Sequence, residues 1–172
     1  MSALESLNVL LVDDNQHMRA IVSAILKGAG IGRSYEVSDG AEALRTLRER
    51  QVDLAIVDFN MFPLDGVEFT RLVRNAPDSA NPFLPIIMMT GHAERARVCE
   101  ARDAGVTEFI VKPVTANSVL SRIQAVIYKP RQFVKSESYN GPCRRRIVDP
   151  NYADPWRRVA DADRVDASEN AA

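Results

Sequence analysis

The feature that most constrains this chain is a series of short, unbroken apolar runs, each of which stops at a polar residue. The clearest runs are Val9–Val12, Leu54–Val57 and Ile86–Met89. Two further strand candidates, Tyr35–Val37 and Glu108–Val111, each include one glutamate, and the first of them is the weaker. A continuous apolar run of this length indicates a strand that is buried on both faces, because a strand with one face in water alternates apolar and polar residues. The chain is therefore expected to build a sheet that other elements cover on both sides.

Helical patterns separate and follow these strands. In the first, Asn15 is a suitable N-cap, and apolar residues recur at helical spacing from Met18 to Leu26 before Gly28 and Gly30 end the pattern. The other helices are predicted to begin near Asp39, after Gly66, near Ala93 and at Thr115. Strands that alternate with helices through short loops imply right-handed crossovers and a parallel sheet. We therefore predict a doubly wound α/β fold with five parallel strands, in which ligands bind beyond the carboxyl ends of the strands.

Composition limits the classes of protein to which this chain can belong. Its 172 residues are 46% hydrophobic and 26% charged, which suits one compact domain with some chain left over and excludes disordered and collagen-like classes. The net charge of -1 gives no overall attraction to nucleic acid or to an anionic membrane. Two cysteines, Cys99 and Cys143, are too few for a disulfide framework, and no apolar stretch is long enough to span a bilayer. We expect a cytoplasmic protein without a membrane anchor.

Polar side chains stand at the carboxyl ends of four predicted strands. Asp13 and Asp14 follow the first, Asp58 the third, Thr90 the fourth and Lys112 the fifth. In a parallel sheet these ends meet at one edge, so three carboxylates, a hydroxyl and an ammonium converge on one cleft. Crowded carboxylates repel, and a hard divalent cation, for which Mg²⁺ is the best candidate, relieves that repulsion. The same cleft can hold a phosphoryl group, whose oxygens the metal and Lys112 neutralise while Thr90 donates a hydrogen bond.

Each of these residues also has an ordinary structural explanation. Asp13 and Asp14 can form a turn and cap a helix. Asp58 can simply end a strand, Thr90 can be an N-cap, and Lys112 can be a surface lysine before a proline. Their coincidence at consecutive strand ends favours the functional interpretation over four separate explanations.

Four segments carry a recognisable pattern of residues. They are VLLVDDN from residue 9, DFNMFPLDG from residue 58, IIMMTG from residue 86 and FIVKP from residue 109. In order and spacing they resemble the CheY-like receiver domains of bacterial two-component response regulators, and the resemblance extends from Leu7 to Tyr128. It implies a flavodoxin-like sheet with strand order 2-1-3-4-5.

The resemblance also implies a role for each residue of the cleft. Asp58 is the implied phosphoacceptor, which takes a phosphoryl group from a histidine kinase or a histidine phosphotransfer protein. The implied ligands of Mg²⁺ are Asp13, Asp14, Asp58 and the backbone carbonyl of Asn60. Thr90 and Lys112 would contact the phosphoryl oxygens. The chain would then catalyse only its own phosphorylation and dephosphorylation, and would not be an enzyme acting on a separate substrate.

Switching and lifetime residues follow from the same resemblance. Phe109 falls where the family places its switching aromatic, whose inward turn accompanies a shift of Thr90 toward the phosphate. Asn60 and His92 fall where the family tunes the lifetime of the aspartyl phosphate. The chain departs from the commonest pattern at Phe62, because many receivers have proline four residues after the acceptor.

Two helices offer surfaces for protein partners. Family members commonly dock the phosphodonor through the first helix and the loop beside the site, which here means the neighbourhood of Met18, Ala20, Ile21, Pro113 and Val114. Met18 and Ile21 have a second interpretation as core residues of that helix. On the fourth helix, the candidates for contact with an unknown downstream protein are Arg95, Arg97 and Arg102. Phosphorylation-dependent dimerisation stays open.

The chain changes character from Lys129 onward. Periodicity stops there, and four of the nine prolines lie between Pro130 and Pro155. We predict a receiver domain over residues 1–129 and an extended, flexible tail over residues 130–172 that lacks a core of its own. The segment YNGPCRRR from residue 139 resembles one that follows receivers in some proteobacterial single-domain regulators. Its basic residues Arg144, Arg145 and Arg146 can contact an acidic partner, the acidic end of the same tail, or nucleic acid.

Two other functions compete with a phosphoacceptor that acts through protein contacts. The first is a nucleic-acid-binding effector whose basic tail, with Arg144–Arg146, is unmasked when the receiver is phosphorylated. The second is a magnesium-dependent phosphohydrolase on a similar sheet. The phosphohydrolase is less favoured because the chain has adjacent Asp13 and Asp14 where such enzymes carry Asp-x-Asp.

Overall fold

The computed structural model describes residues 4–91, 95–143 and 163–165. Its alternating elements are β1 (Asn8–Val12), α1 (Gln16–Gly28), β2 (Arg33–Val37), α2 (Gly40–Glu49), β3 (Leu54–Asp58), α3 (Gly66–Asn75), β4 (Ile86–Thr90), α4 (Arg95–Ala104), β5 (Glu108–Val111) and α5 (Ala116–Tyr128). Within the described residues, these five strands pair in parallel in the order β2-β1-β3-β4-β5. The predicted doubly wound sheet with order 2-1-3-4-5 is confirmed.

The central strand β1 shows why continuous apolar runs build this sheet. Val9 and Leu11 point to one face, where they pack with residues of α1 and α5, whereas Leu10 and Val12 point to the other face, toward α2 and α3. All four side chains are fully buried. Each contributes about 1.5–3 kcal/mol by leaving water, so both faces of the strand favour the same sandwich of helices around a sheet.

Side-chain caps fix where the helices begin. The Asn15 side chain accepts hydrogen bonds from the backbone N–H groups of His17 and Met18 at the start of α1. Asp65 and Glu68 form a capping box at the start of α3. These caps place short loops directly after β1 and β3, so the carboxyl ends of the two strands stay open as a cleft.

Two apolar helix residues lie outside the core. Ile21 on α1 is 49% exposed and Leu72 on α3 is 40% exposed. The buried stripe of α1 runs through Val22 and Leu26, and Ile21 lies about 100° around the helix from Val22. The prediction of a core position for Ile21 is therefore wrong, while Met18 is half-buried against the core.

The prediction of an extended tail is wrong for residues 133–142, which directly follow the domain. Two short antiparallel strands, β6 (Phe133–Ser136) and β7 (Tyr139–Pro142), form a hairpin, and a third strand, β8 (Asp163–Val165), pairs with β6. The Phe133 side chain is buried, and its ring meets the Phe83 ring edge-on at 5.2 Å between centroids. The hairpin packs on the domain through Phe133, and local sequence patterns do not reveal a contact between segments so far apart in the chain.

Other expectations for the tail stay predictions. Arg144, Arg145 and Arg146 lie outside the described residues, as does His92, so their proposed contacts are not seen here. The boundary at residue 129 likewise stays a prediction. Within the described residues, no helix has both the length and the apolar composition needed to cross a membrane.

Candidate phosphoacceptor site

Three carboxylates meet where β1 and β3 end. One oxygen from each of Asp13, Asp14 and Asp58 lies within 4.8 Å of the others. Asp13 and Asp58 are buried, whereas Asp14 is exposed at the mouth of the cleft. The parallel register of β1 with β3 brings these residues together, since Val12 pairs with Val57 directly before them.

Burial disfavours the ionised form of two of these carboxylates. Burial raises the pKa of Asp13 above its ordinary value of 3.8, against a backbone N–H donated by Asn15 at 2.8 Å that favours the charged form. Burial likewise raises the pKa of Asp58, and the hydrogen bond and charge of Lys112 offset only part of that effect. Loss of solvation is the larger cause of both shifts and repulsion between the carboxylates a smaller one, and an added cation would offset both.

Lys112 supplies one positive charge to this cleft. Its Nζ lies 2.6 Å from Oδ1 of Asp58. The peptide bond from Lys112 to Pro113 is cis, and the Lys112 backbone N–H donates to the Thr90 carbonyl at 2.8 Å. Thr90 is itself buried at the end of β4, so the hydroxyl and the ammonium lie at the same edge of the sheet as Asp58.

The loop after β3 begins and ends in close contact with the rest of the site. The Gly66 backbone N–H donates to the Phe59 carbonyl at 3.1 Å, and a Cβ on Gly66 would lie 2.4 Å from the Asp58 carbonyl oxygen. Only glycine permits this approach. Between these ends, Asn60 is exposed, and Phe62 is 83% exposed before a cis bond to Pro63.

The matches to known proteins agree with this geometry. The family model described as a response regulator receiver domain matches residues 9–124. This chain belongs to the response regulator receiver family. It is 33% identical over 122 residues to the chemotaxis protein CheY-3 of Vibrio cholerae, covering 71% of this chain and 92% of that protein. It is 34% identical to the chemotaxis protein CheY of Pseudomonas aeruginosa over 120 residues, covering 70% of this chain and 95% of that protein.

Solved receiver structures share the fold. The chemotaxis protein CheY4 of Vibrio cholerae superimposes with a TM-score of 0.64 at 34% identity, covering 70% of this chain and 98% of that one. The receiver domain of a sensor histidine kinase from Pseudomonas aeruginosa, which was solved with a magnesium ion in its active site cleft, gives a TM-score of 0.62 at 28% identity. That match covers 69% of this chain and 94% of the other.

The acidic cleft of this receiver fits the Mg²⁺ that its family binds. Oδ2 of Asp13 is buried and accepts no hydrogen bond from the described part of the chain. A buried carboxylate oxygen that accepts no hydrogen bond costs free energy unless a cation binds it. Hard oxygen donors that lie this close together suit Mg²⁺, with Asp13, Asp14 and Asp58 as the side chains that would hold it.

Phe109, the predicted switch residue, lies beside an apolar cluster of the domain. It is half-buried on β5 and packs against a small apolar cluster beneath α4 that includes Phe59 and Met88. Phe59 directly follows Asp58, so this cluster connects β3 to β5 and α4. The assignment of Phe109 as the switch residue stays a prediction.

Arg97 has contacts that the sequence did not indicate. It was predicted to face a partner, but its guanidinium lies over the Phe59 ring at 4.6 Å from the centroid. It also donates to Oδ2 of Asp65 at 3.2 Å. One side chain of α4 therefore contacts both ends of the loop that carries Asn60. The long separation of these residues in sequence left no local signal for this contact.

Proposed function

We propose that this chain is a phosphoacceptor response regulator in a two-component phosphorelay. In this proposal Asp58 accepts a phosphoryl group from the phosphohistidine of a histidine kinase or a histidine phosphotransfer protein. The observation that carries it is the position of the Asp58 carboxylate, which lies against the Lys112 ammonium and beside two further carboxylates at the end of a buried strand. The proposal includes a cytoplasmic location and no reaction on a separate substrate.

The chemistry follows from these side chains. A carboxylate oxygen of Asp58 attacks phosphorus, the P–N bond of the donor breaks, and the electron pair stays on the imidazole nitrogen. The Lys112 ammonium neutralises oxygens of the transferred group, and the Thr90 hydroxyl donates a hydrogen bond to them. Mg²⁺ held by Asp13, Asp14 and Asp58 would supply further positive charge for the transferred group. The rise in pKa of Asp58 keeps this carboxylate more basic than an exposed aspartate.

The test is phosphorylation of the full chain by phosphoramidate in the presence of Mg²⁺. We expect the mass increase of one phosphoryl group on the peptide that contains Asp58, removal of that group by hydroxylamine as for an acyl phosphate, and no labelling when the metal is chelated. Labelling on another residue, or none from either phosphoramidate or phosphorylated histidine kinases, would contradict the proposal. If Asp58 is labelled, phosphotransfer profiling against the histidine kinases of the host would identify the pathway.

The exposed face of α1 supports a docking role in phosphotransfer. Ile21 is half exposed on the helix that begins directly after the acidic loop, and neighbouring Ala20 is exposed as well. An apolar side chain at such a place suits the helical domain of a phosphodonor protein. We also propose a downstream protein target, and the support for it is membership of the receiver family alone.

Ile21→Glu is expected to slow phosphotransfer from the donor protein by about tenfold, because a charge replaces a buried apolar contact in the complex. The rate from phosphoramidate should not change, since Ile21 does not contribute to the cleft. Leu72→Glu is the matched control, because Leu72 is similarly exposed on a different helix. Stopped-flow or gel assays of phosphotransfer measure both rates. Equal losses in the two variants, or a loss with phosphoramidate, would contradict docking through α1.

A further inference from the structure

A buried arginine at the end of α3 has no part in the proposed chemistry. Arg74 is only 1% exposed. Its Nε and Nη2 donate to the Gly105 carbonyl at 3.1 and 2.9 Å, and its Nη1 donates to the Pro82 carbonyl at 2.8 Å. Burial lowers its pKa to about 9. Burying a charged guanidinium costs free energy, so the groups that cover it must make specific contacts with it.

The C-terminal hairpin provides that cover. The guanidinium of Arg74 lies 5.0 Å from the ring centroid of Phe133 on β6, and the Asn140 side chain of β7 donates to the Arg74 carbonyl. A Cβ on Gly141 would lie 2.8 Å from Cα of Gly105, so the two backbones touch. Gly105 itself has a φ of 106°, which only glycine adopts without strain.

The YNGP segment, for which the sequence offered no role, is therefore a docking unit. The Tyr139 hydroxyl donates to the Pro142 carbonyl at 2.7 Å and closes the strand on itself. Asn140 and Gly141 make the contacts to Arg74 and Gly105 described above. Arg131, at the entry to the hairpin, lies 3.5 Å from the buried Glu108 carboxylate. The hairpin thus joins α3, the start of β5 and the connection between α4 and β5.

That connection lies between two elements that contact the phosphoacceptor. α4 carries Arg97, whose guanidinium covers the Phe59 ring. β5 leads directly to Lys112, which is paired with Asp58. A phosphoryl group on Asp58 takes up a carboxylate oxygen and draws the Lys112 ammonium to its own oxygens. β5 ends directly before Lys112, and the hairpin contacts the chain at Gly105, just before β5 begins at Glu108.

We propose that the hairpin of residues 133–142 is an intramolecular clasp that restrains phosphorylation at Asp58 by holding the α4–β5 connection at Gly105. This inference rests on the proposed function. In this proposal the clasp contacts are stronger while Lys112 is paired with the unmodified carboxylate than after phosphorylation, and that difference favours the unphosphorylated arrangement. The coupling between two binding equilibria is reciprocal. If the clasp weakens binding at the phosphoryl site by some factor, occupation of that site weakens the clasp contacts by the same factor.

The experiment titrates the full-length protein with beryllium fluoride, a phosphoryl analogue, in the presence of Mg²⁺. Asn140→Ala removes the hydrogen bond to Arg74, and Gly141→Ala forces the two backbones apart. Both are expected to bind the analogue about fivefold more tightly than the parent chain. Lys135→Ala, at an exposed position on β6, is the matched control and should bind like the parent. Tyr139→Phe gives a milder version if either clasp variant fails to fold, as judged by circular dichroism.

Hydrogen exchange supplies the reciprocal readout on the unmodified sequence. Amides of β6 and β7 should exchange about fivefold faster when beryllium fluoride occupies the site, while amides of β1 keep their rate. If the parent binds the analogue and both the affinities and the hairpin exchange stay unchanged, the clasp is overturned and the proposed function stands. Weaker binding by the clasp variants overturns it equally. If the parent neither binds the analogue nor takes up a phosphoryl group, the proposed function fails and the clasp proposal with it.

Discussion

Replacing Asp58 with asparagine is expected to reduce phosphoryl incorporation by about 100-fold or more, because an amide of the same size has no nucleophilic oxygen. Asn fits the buried position and leaves the strand pairing of β3 intact. The measurement is phosphoryl incorporation from phosphoramidate with Mg²⁺, followed by mass spectrometry. Asp78→Asn is the matched control, since the Asp78 side chain is 67% exposed and pairs only with the exposed Arg48 among the contacts described for it.

Two results would contradict this prediction. Continued labelling of the Asp58→Asn chain at the parent rate would place the nucleophile elsewhere, and Asp13 or Asp14 would then be the first candidates because their carboxylates share the cleft. Loss of labelling in the Asp78→Asn control would point to a general effect of charge. A normal melting transition in both variants separates lost chemistry from lost fold.

Asp13→Asn is expected to stabilise the fold in the absence of Mg²⁺ and to remove the stabilisation that Mg²⁺ gives. The amide oxygen keeps the hydrogen bond from the Asn15 backbone, and the amide N–H groups can donate to the neighbouring carboxylates. Removing a buried carboxylate of which one oxygen, Oδ2, accepts no hydrogen bond from the described residues is worth about 1–3 kcal/mol. In a domain of this size that corresponds to a rise in Tm of about 2–4 °C per kcal/mol.

The same variant tests the pH dependence of stability. Burial raises the pKa of Asp13 and of Asp58 above 3.8, so the folded chain binds protons more tightly than the unfolded chain. The ionised carboxylates therefore destabilise the fold at neutral pH, and this cost falls as the pH drops through the raised values toward 3.8. Asp13→Asn should flatten that dependence.

Denaturant unfolding at several pH values, with and without Mg²⁺, measures both effects. In the parent, added Mg²⁺ should raise the free energy of unfolding with concentration, as expected for a ligand of the folded state. Asp78→Asn should respond to Mg²⁺ and to pH like the parent. A destabilised Asp13→Asn chain without Mg²⁺ would contradict the predicted cost of the buried carboxylate. Equal stabilisation of parent and variant by Mg²⁺ would show that Asp13 is not part of a metal site.

The sheet and the cleft could be read from the sequence because both depend on local order. Each apolar run is followed at once by its polar residue, and parallel pairing carries all such ends to one edge, as Asp13 and Asp58 show. The roles of these residues stay predictions until phosphorylation is measured. Their proximity, however, follows from strand order and register alone.

Contacts between distant segments could not be read in this way. The hairpin strands have four residues each, and they contact Arg74 and Phe83, which lie far away in sequence. Arg97 looks like an exposed helical charge until α4 is placed over Phe59. For Ile21, the helical period indicates an apolar face of α1 but does not show which residues at the border of that face are buried. Neighbouring positions differ by about 100° around the helix, so Val22 is buried while Ile21 is exposed.

The close backbone contact between Gly105 and Gly141 has an evolutionary consequence. A side chain at either position would push the hairpin from the domain, and the Arg74 guanidinium would then lose its cover. A mutation at one glycine cannot be compensated at the other, since the glycine that remains is already the smallest residue. We expect arginine at 74 and glycine at 105 and 141 to be inherited as a set among descendants that keep the hairpin, and to drift independently in lineages that have lost it.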